Sequence, residues 1–139
     1  MKYNPKFNIW LDNNVLIAMV KGSWTELDAK DYARDFKAAA IPLTGGDWAN
    51  ITFLENWHLG VPGIEPIIKE LVGWTIEHNL RYSAHVYWPN TVKEFQLDKM
   101  VKKVPQRFEL QRFMHPQQAF DWLETHGFNT DNQQRLAVD

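Results

Sequence analysis

Cysteine is absent from this chain of 139 residues, so no disulfide, thiolate metal site or thiol nucleophile is available to it. No apolar run approaches the roughly 18 residues that a membrane-spanning helix needs. Met1 to Asn8 are polar and lack the apolar core of a signal peptide, which leads to the expectation of a soluble, cytoplasmic protein without an integral membrane segment. A basic excess is lacking too. The net charge of −2 argues against nucleic acid as a partner, because phosphate binding wants clustered positive charge. No glycine-rich phosphate loop is present: Gly45-Gly46 precedes a strand rather than opening a helix, and Gly60 to Gly63 lacks the Lys-Ser/Thr pair. The five histidines, at 58, 78, 85, 115 and 126, offer no pair at ligand spacing on one element. No metal and no cofactor is therefore expected. His85 lies inside a strand, where it is expected to be packed or hydrogen-bonded to a neighbour.

What the chain has in quantity is aromatic side chains, with seven Trp and eight Phe. So many rings must fill a core or line a pocket. The length suits one domain, expected over residues 1–128, with a polar tail over 129–139 that is expected to fray.

Residues 48 to 88 organise the rest. They read as a strand (Trp48 to Leu54), a helix (Ile64 to Asn79) and a second strand (Tyr82 to Trp88), the unit that builds parallel sheet. Ile64, Ile67, Ile68, Leu71, Val72 and Thr75 recur at helical spacing, and Pro62 and Pro66 confine the helix start. Ahead of this unit, Phe7 to Leu11 and Val15 to Val20 form a hairpin across Asn13-Asn14. The run Val15 to Val20 is apolar without alternation, which predicts burial on both faces. Gly22-Ser23-Trp24-Thr25-Glu26 opens a helix that Pro42 ends, capped by Ser23 with Glu26 or Thr25 with Asp28. Downstream, Thr91 with Glu94 caps a helix from Val92 to about Lys103. Phe108 to Met114 makes an edge strand, and a last helix runs from His115-Pro116 through Thr125.

The predicted fold is α/β. It has a mixed, mostly parallel five-stranded sheet in the order 1-2-3-4-5, first strand antiparallel, with four helices in the sequence β-β-α-β-α-β-α-β-α. That order resembles the STAS domain and the SpoIIAA-like (STAS-like) bacterial proteins. The likeness is carried by Val15 to Val20 running into Gly22-Ser23-Trp24-Thr25, by the strand Trp48 to Leu54, and by the helix reached through Gly60-Val61-Pro62-Gly63. The resemblance implies a non-catalytic interaction or regulatory module that meets a protein partner through the second helix and the loop before it. In the anti-sigma-factor antagonists of that family a phosphorylatable Ser stands at this helix start. Here residues 55 to 63 contain no Ser or Thr, so no hydroxyl is present there to accept phosphate.

In open parallel sheets ligands collect beyond the carboxyl ends of the strands. That edge gathers Trp24, Glu55, Asn56, Trp57, His58, Trp88, Asn90 and His115 as candidate partner- or ligand-binding residues, none of them assigned to catalysis. Glu55 with His58 has the makings of an acid–base pair, but two residues do not define a reaction, and the chain is not expected to be an enzyme. Lys93, Lys99, Lys102, Lys103 and Arg107 read as a solvated basic face, with a docking patch for an acidic protein or a membrane surface as the alternative. Two functions stay open: the interaction module, and a binder of a small apolar or amphipathic ligand in a Trp-lined pocket at the strand ends. A homodimer is compatible with either. If the indoles stand in that site, Trp57→Ala is expected to weaken binding at least tenfold while costing less in stability.

Overall fold

The structure, a computed structural model, describes residues 6–100 and 107–131. In chain order the elements are β1 (Phe7–Asp12), β2 (Val15–Val20), β3 (Gly22–Trp24), α1 (Glu26–Ala40), a 3-10 turn (Ile41–Leu43), β4 (Trp48–Phe53), β5 (Trp57–Gly60), α2 (Ile64–Glu77), β6 (Leu80–Val86), α3 (Thr91–Met100), β7 (Glu109–Phe113) and α4 (Pro116–Thr125).

The main sheet has five strands in the spatial order β1-β2-β4-β6-β7. β1 and β2 pair antiparallel, with Asp12 opposite Val15 and Asn13 at φ 55° in the connecting turn. Every other neighbour in that sheet is parallel, as the successive strand–helix–strand units require. The residues of β2 divide cleanly between two cores. Val15 and Ile17 pack with Ala119, Phe120 and Leu123 of α4 on one face. Leu16, Ala18 and Val20 pack with α1, α2 and α3 on the other. This two-sided cover is why the strand shows no alternation.

Local sequence accounts for most helix ends. Thr25 caps α1 in a reciprocal box with Asp28. At α3 the cap is Asn90, whose side chain accepts from the Lys93 N–H at 3.0 Å, in place of the expected Thr91–Glu94 box. Trp48, fully buried, donates from Nε1 to the His78 carbonyl at 2.7 Å and so closes the last turn of α2. The expected end of the third helix near Lys103 falls outside the described residues. Of the polar tail, Asn129 and Asp131 are tied to the β1–β2 hairpin through Asn13 and Asp12.

Two elements depart from the sequence reading. Gly22–Trp24 was expected to open a helix and residues 55–63 to form a loop. Instead β3 and β5 pair in parallel as a separate two-stranded ribbon. Gly22 turns the chain out of β2 at φ 77°, a conformation open to glycine at little cost, and its N–H donates to the Asn56 carbonyl at 2.9 Å. The Val61 N–H closes the other end on the Trp24 carbonyl at 3.1 Å. Strands of three and four residues are too short to show a period, so nothing local announces them.

Candidate functional site

Alternation along β4 turns Ala49, Ile51 and Phe53 toward α4 and leaves Asn50 and Thr52 on the three-helix side. Along β6 the same rule turns Ser83 and His85 to that side. The parallel register places Asn50 beside Ser83 and Thr52 beside His85. Four polar side chains therefore stand together on two neighbouring strands inside the protein, with Leu16 and Ala18 to one side and Leu110 and Arg112 to the other.

Three of the four satisfy one another. Asn50 is the hub: its Nδ2 donates to the Leu16 carbonyl at 3.0 Å, and its Oδ1 accepts from Thr52 Oγ1 at 3.0 Å and Ser83 Oγ at 2.8 Å. His85 stands apart. It is 8% exposed, packed as expected of a strand histidine, and its enclosed Nδ1 has no hydrogen-bond partner. Burial, reinforced by the Arg112 guanidinium, pushes its pKa down to about 4, so the ring is neutral at pH 7. Leaving such a group unpaired costs about 1–3 kcal/mol. Burial also pushes the Tyr32 phenol above its ordinary range, tempered by the Thr52 hydroxyl beside it.

Above this polar floor lies a cavity of about 100 Å3 between the sheet and the three helices. Its walls are apolar and aromatic: Trp24, Tyr32, Trp57, Ile64, Leu71 and Met100 are among them. No Asp, Glu, Lys or Arg is among the described residues that line it. One water needs about 10–15 Å3 of such space, so there is room for several waters or one compact organic molecule.

The eight residues proposed from the sequence separate into groups. Trp24 and Trp57 are 4% and 3% exposed and meet edge to face, with centroids 6.4 Å apart. They face inward onto the cavity, which corrects their placement at an open site beyond the strand ends. The reason is the ribbon: as a strand, β5 alternates, burying Trp57 and exposing His58. Trp88 and His115 do stand outside, ring to ring at 5.9 Å, with Trp88 57% exposed. Glu55 accepts the Trp88 N–H at 2.6 Å rather than pairing with His58. The Asn56 carbonyl anchors β3, and Asn90 is the helix cap described above. Lys93, expected on a solvated face, is buried and donates Nζ to the Leu54 and Glu55 carbonyls at 2.8 and 3.3 Å. Burial lowers its pKa despite the nearby Glu55 carboxylate. The polar floor was missed. Its trace in the sequence is polar residues spaced two apart within otherwise apolar strands, at Asn50 and Thr52 and again at Ser83 and His85.

The sequential sheet with its antiparallel first strand and helices on both faces is a SpoIIAA-like fold. It is similar to the crystal structure of an uncharacterized DUF3478-family protein with a SpoIIAA-like fold from Shewanella loihica PV-4. The TM-score is 0.63 and the sequence identity 13%, over 88% of this chain and 98% of that one. Likeness at that identity is of fold alone. No protein-family model matches the sequence, and no curated protein does. Among the described residues no helix is long and apolar enough to cross a membrane, and no cluster of three or more His, Cys, Asp or Glu is placed to hold a metal ion.

Proposed function

We propose that this protein is a non-catalytic binder of a compact apolar or amphipathic ligand, held between the sheet and α1, α2 and α3. The observation that carries this reading is the cavity of about 100 Å3 with aromatic walls and a polar floor. A protein interior packed only for stability leaves few voids larger than a water, and each void forfeits contacts. Trp24 and Trp57 keep a part in this reading as cavity walls. The ligand scale is at most that of a single ring or a short branched chain, since a larger cavity of about 150 Å3 lined by apolar side chains admits benzene. The chain acts, on this reading, as one domain over residues 1–128 in the cytoplasm. The test is titration with benzene, followed by indole fluorescence and thermal unfolding. A ligand at one hundred times its Kd raises stability by about 2.7 kcal/mol. Ile68 of α2 also lines the cavity, and a saturable response that disappears in a cavity-filling Ile68→Trp variant supports the proposal. A response that never saturates, or that Ile68→Trp leaves intact, removes it.

A second reading, the interaction module implied by the fold resemblance, is favoured by a different observation. Trp88, Val92 and Phe95 are 57%, 61% and 64% exposed at the end of β6 and along α3. Large apolar side chains close together at a surface are the usual anchors of a protein contact. A partner captured from extracts of the source cell by the wild-type chain, and lost with Trp88→Ser and Phe95→Ser combined, would establish it.

A further inference from the structure

The floor of the cavity says more about its occupant than the walls do. Of the polar side chains that line it, Asn50, Thr52 and Ser83 are engaged with one another, and Thr75 donates to the Val72 carbonyl at 2.6 Å. The Tyr32 hydroxyl lies against Thr52. His85 alone among these described groups has an enclosed side-chain nitrogen with nothing to bond to, on a ring that lines the cavity. Native structures rarely leave such an atom orphaned, and a ring that carries one while lining a cavity marks where the polar end of an occupant belongs.

We propose that the cavity takes a compact neutral alcohol or phenol, its hydroxyl hydrogen-bonded to His85 and its carbon frame against Trp24, Trp57 and Ile64. The inference rests on the binder reading above and specifies the class of ligand. Neutrality follows from the described lining residues, none of which has a charged side chain to replace the hydration an ion would lose. Arg112, the cation beside His85, is already paired with Asp98 and Glu94. A hydroxyl rather than a ketone or ether follows from the imidazole, which carries one N–H and one bare nitrogen. A hydroxyl donates and accepts, so it answers either tautomer.

The test is calorimetric titration of the full chain with benzene, phenol and benzoate at pH 7.5. Water solvates phenol better than benzene, so a cavity without a hydrogen-bond partner prefers benzene. The expected result is phenol binding at least tenfold more tightly than benzene, with no saturable binding of benzoate. His85→Leu should abolish the preference for phenol over benzene. Should His85→Leu fail to fold, the imidazole nitrogen shifts of the wild type decide: phenol must move His85 and benzene must not. Benzene binding as tightly as phenol, or benzoate binding best, overturns the assignment of a neutral hydroxyl ligand while the cavity reading survives. Binding of none of the three overturns both, and the cavity is then a pocket of water.

Discussion

A histidine enclosed by the core and facing Arg112 resists protonation, and this makes folding sensitive to pH. The folded pKa of about 4 lies below the ordinary 6.5, so between those values the unfolded chain binds a proton there that the folded chain does not. The penalty is absent above pH 6.5 and grows as pH falls, reaching about 3 kcal/mol near pH 4. Urea melts of wild type and His85→Gln at pH 7.5 and 4.5 should show the wild type losing about 2 kcal/mol more over that interval. Equal losses would mean that another group titrates. Asn50 carries a different liability. Asn50→Leu leaves the Thr52 and Ser83 hydroxyls without their shared acceptor, each at about 1–3 kcal/mol. A loss of several kcal/mol in urea is expected. Ser83→Ala, which deletes one donor and orphans nothing, should cost about 1 kcal/mol. His85 was visible in the sequence as a strand residue. Its isolation was not, because that depends on what the neighbouring strand and helices set around it.

The element that most changes the reading is the β3–β5 ribbon. Its outer end is held by Gln96 of α3, which both accepts from the Gly60 N–H at 3.3 Å and donates to the Gly60 carbonyl at 3.0 Å. A methyl group at Gly60 would run into the buried side chain of Ile64. Gly60→Ala is therefore expected to cost at least 2 kcal/mol, by overpacking, and Gln96→Ala about 1 kcal/mol, by loss of the paired bonds. Thermal melts check both; a neutral Gly60→Ala would mean that Ile64 has room to move. Trp57→Ala now carries the opposite expectation from that of an exposed indole. It should lose about 3–5 kcal/mol of stability, as a buried aromatic does, whatever it does to binding. The longer elements were legible for a plain reason: α1 and α2, at 15 and 14 residues, repeat their apolar faces several times. The ribbon repeats nothing. Its strands exist because Gly22 and Asn56 meet across the single crossover through α1 and β4.

At the scale of the whole molecule, one sheet serves two cores of unequal cover, three helices on one face and α4 on the other. Burial of Phe120 and Leu123 is worth about 1.5–3 kcal/mol each, against a total stability that for a domain of this size is about 5–15 kcal/mol. A chain ending at Met114 would lay bare Val15, Ile17, Ile51, Ala84 and Val86, and is expected to aggregate or lose cooperative unfolding by circular dichroism. Retention of a cooperative melt would show that the three-helix core is self-sufficient. The order of strands, the antiparallel opening and the burial of β2 on both faces were already determined by the sequence alone. The apolar run of β2, the Asn13 turn and the strand–helix–strand unit are local patterns, and few topologies accommodate them. Tertiary structure alone decided that Trp24 and Trp57 turn inward, that Asn50 reaches Ser83 across 33 residues, and that His85 is left facing a cavity. Periodicity reports the face on which a side chain lies. Register, and the space left between sheet and helices, come from packing residues far apart in the chain, and no short stretch encodes them.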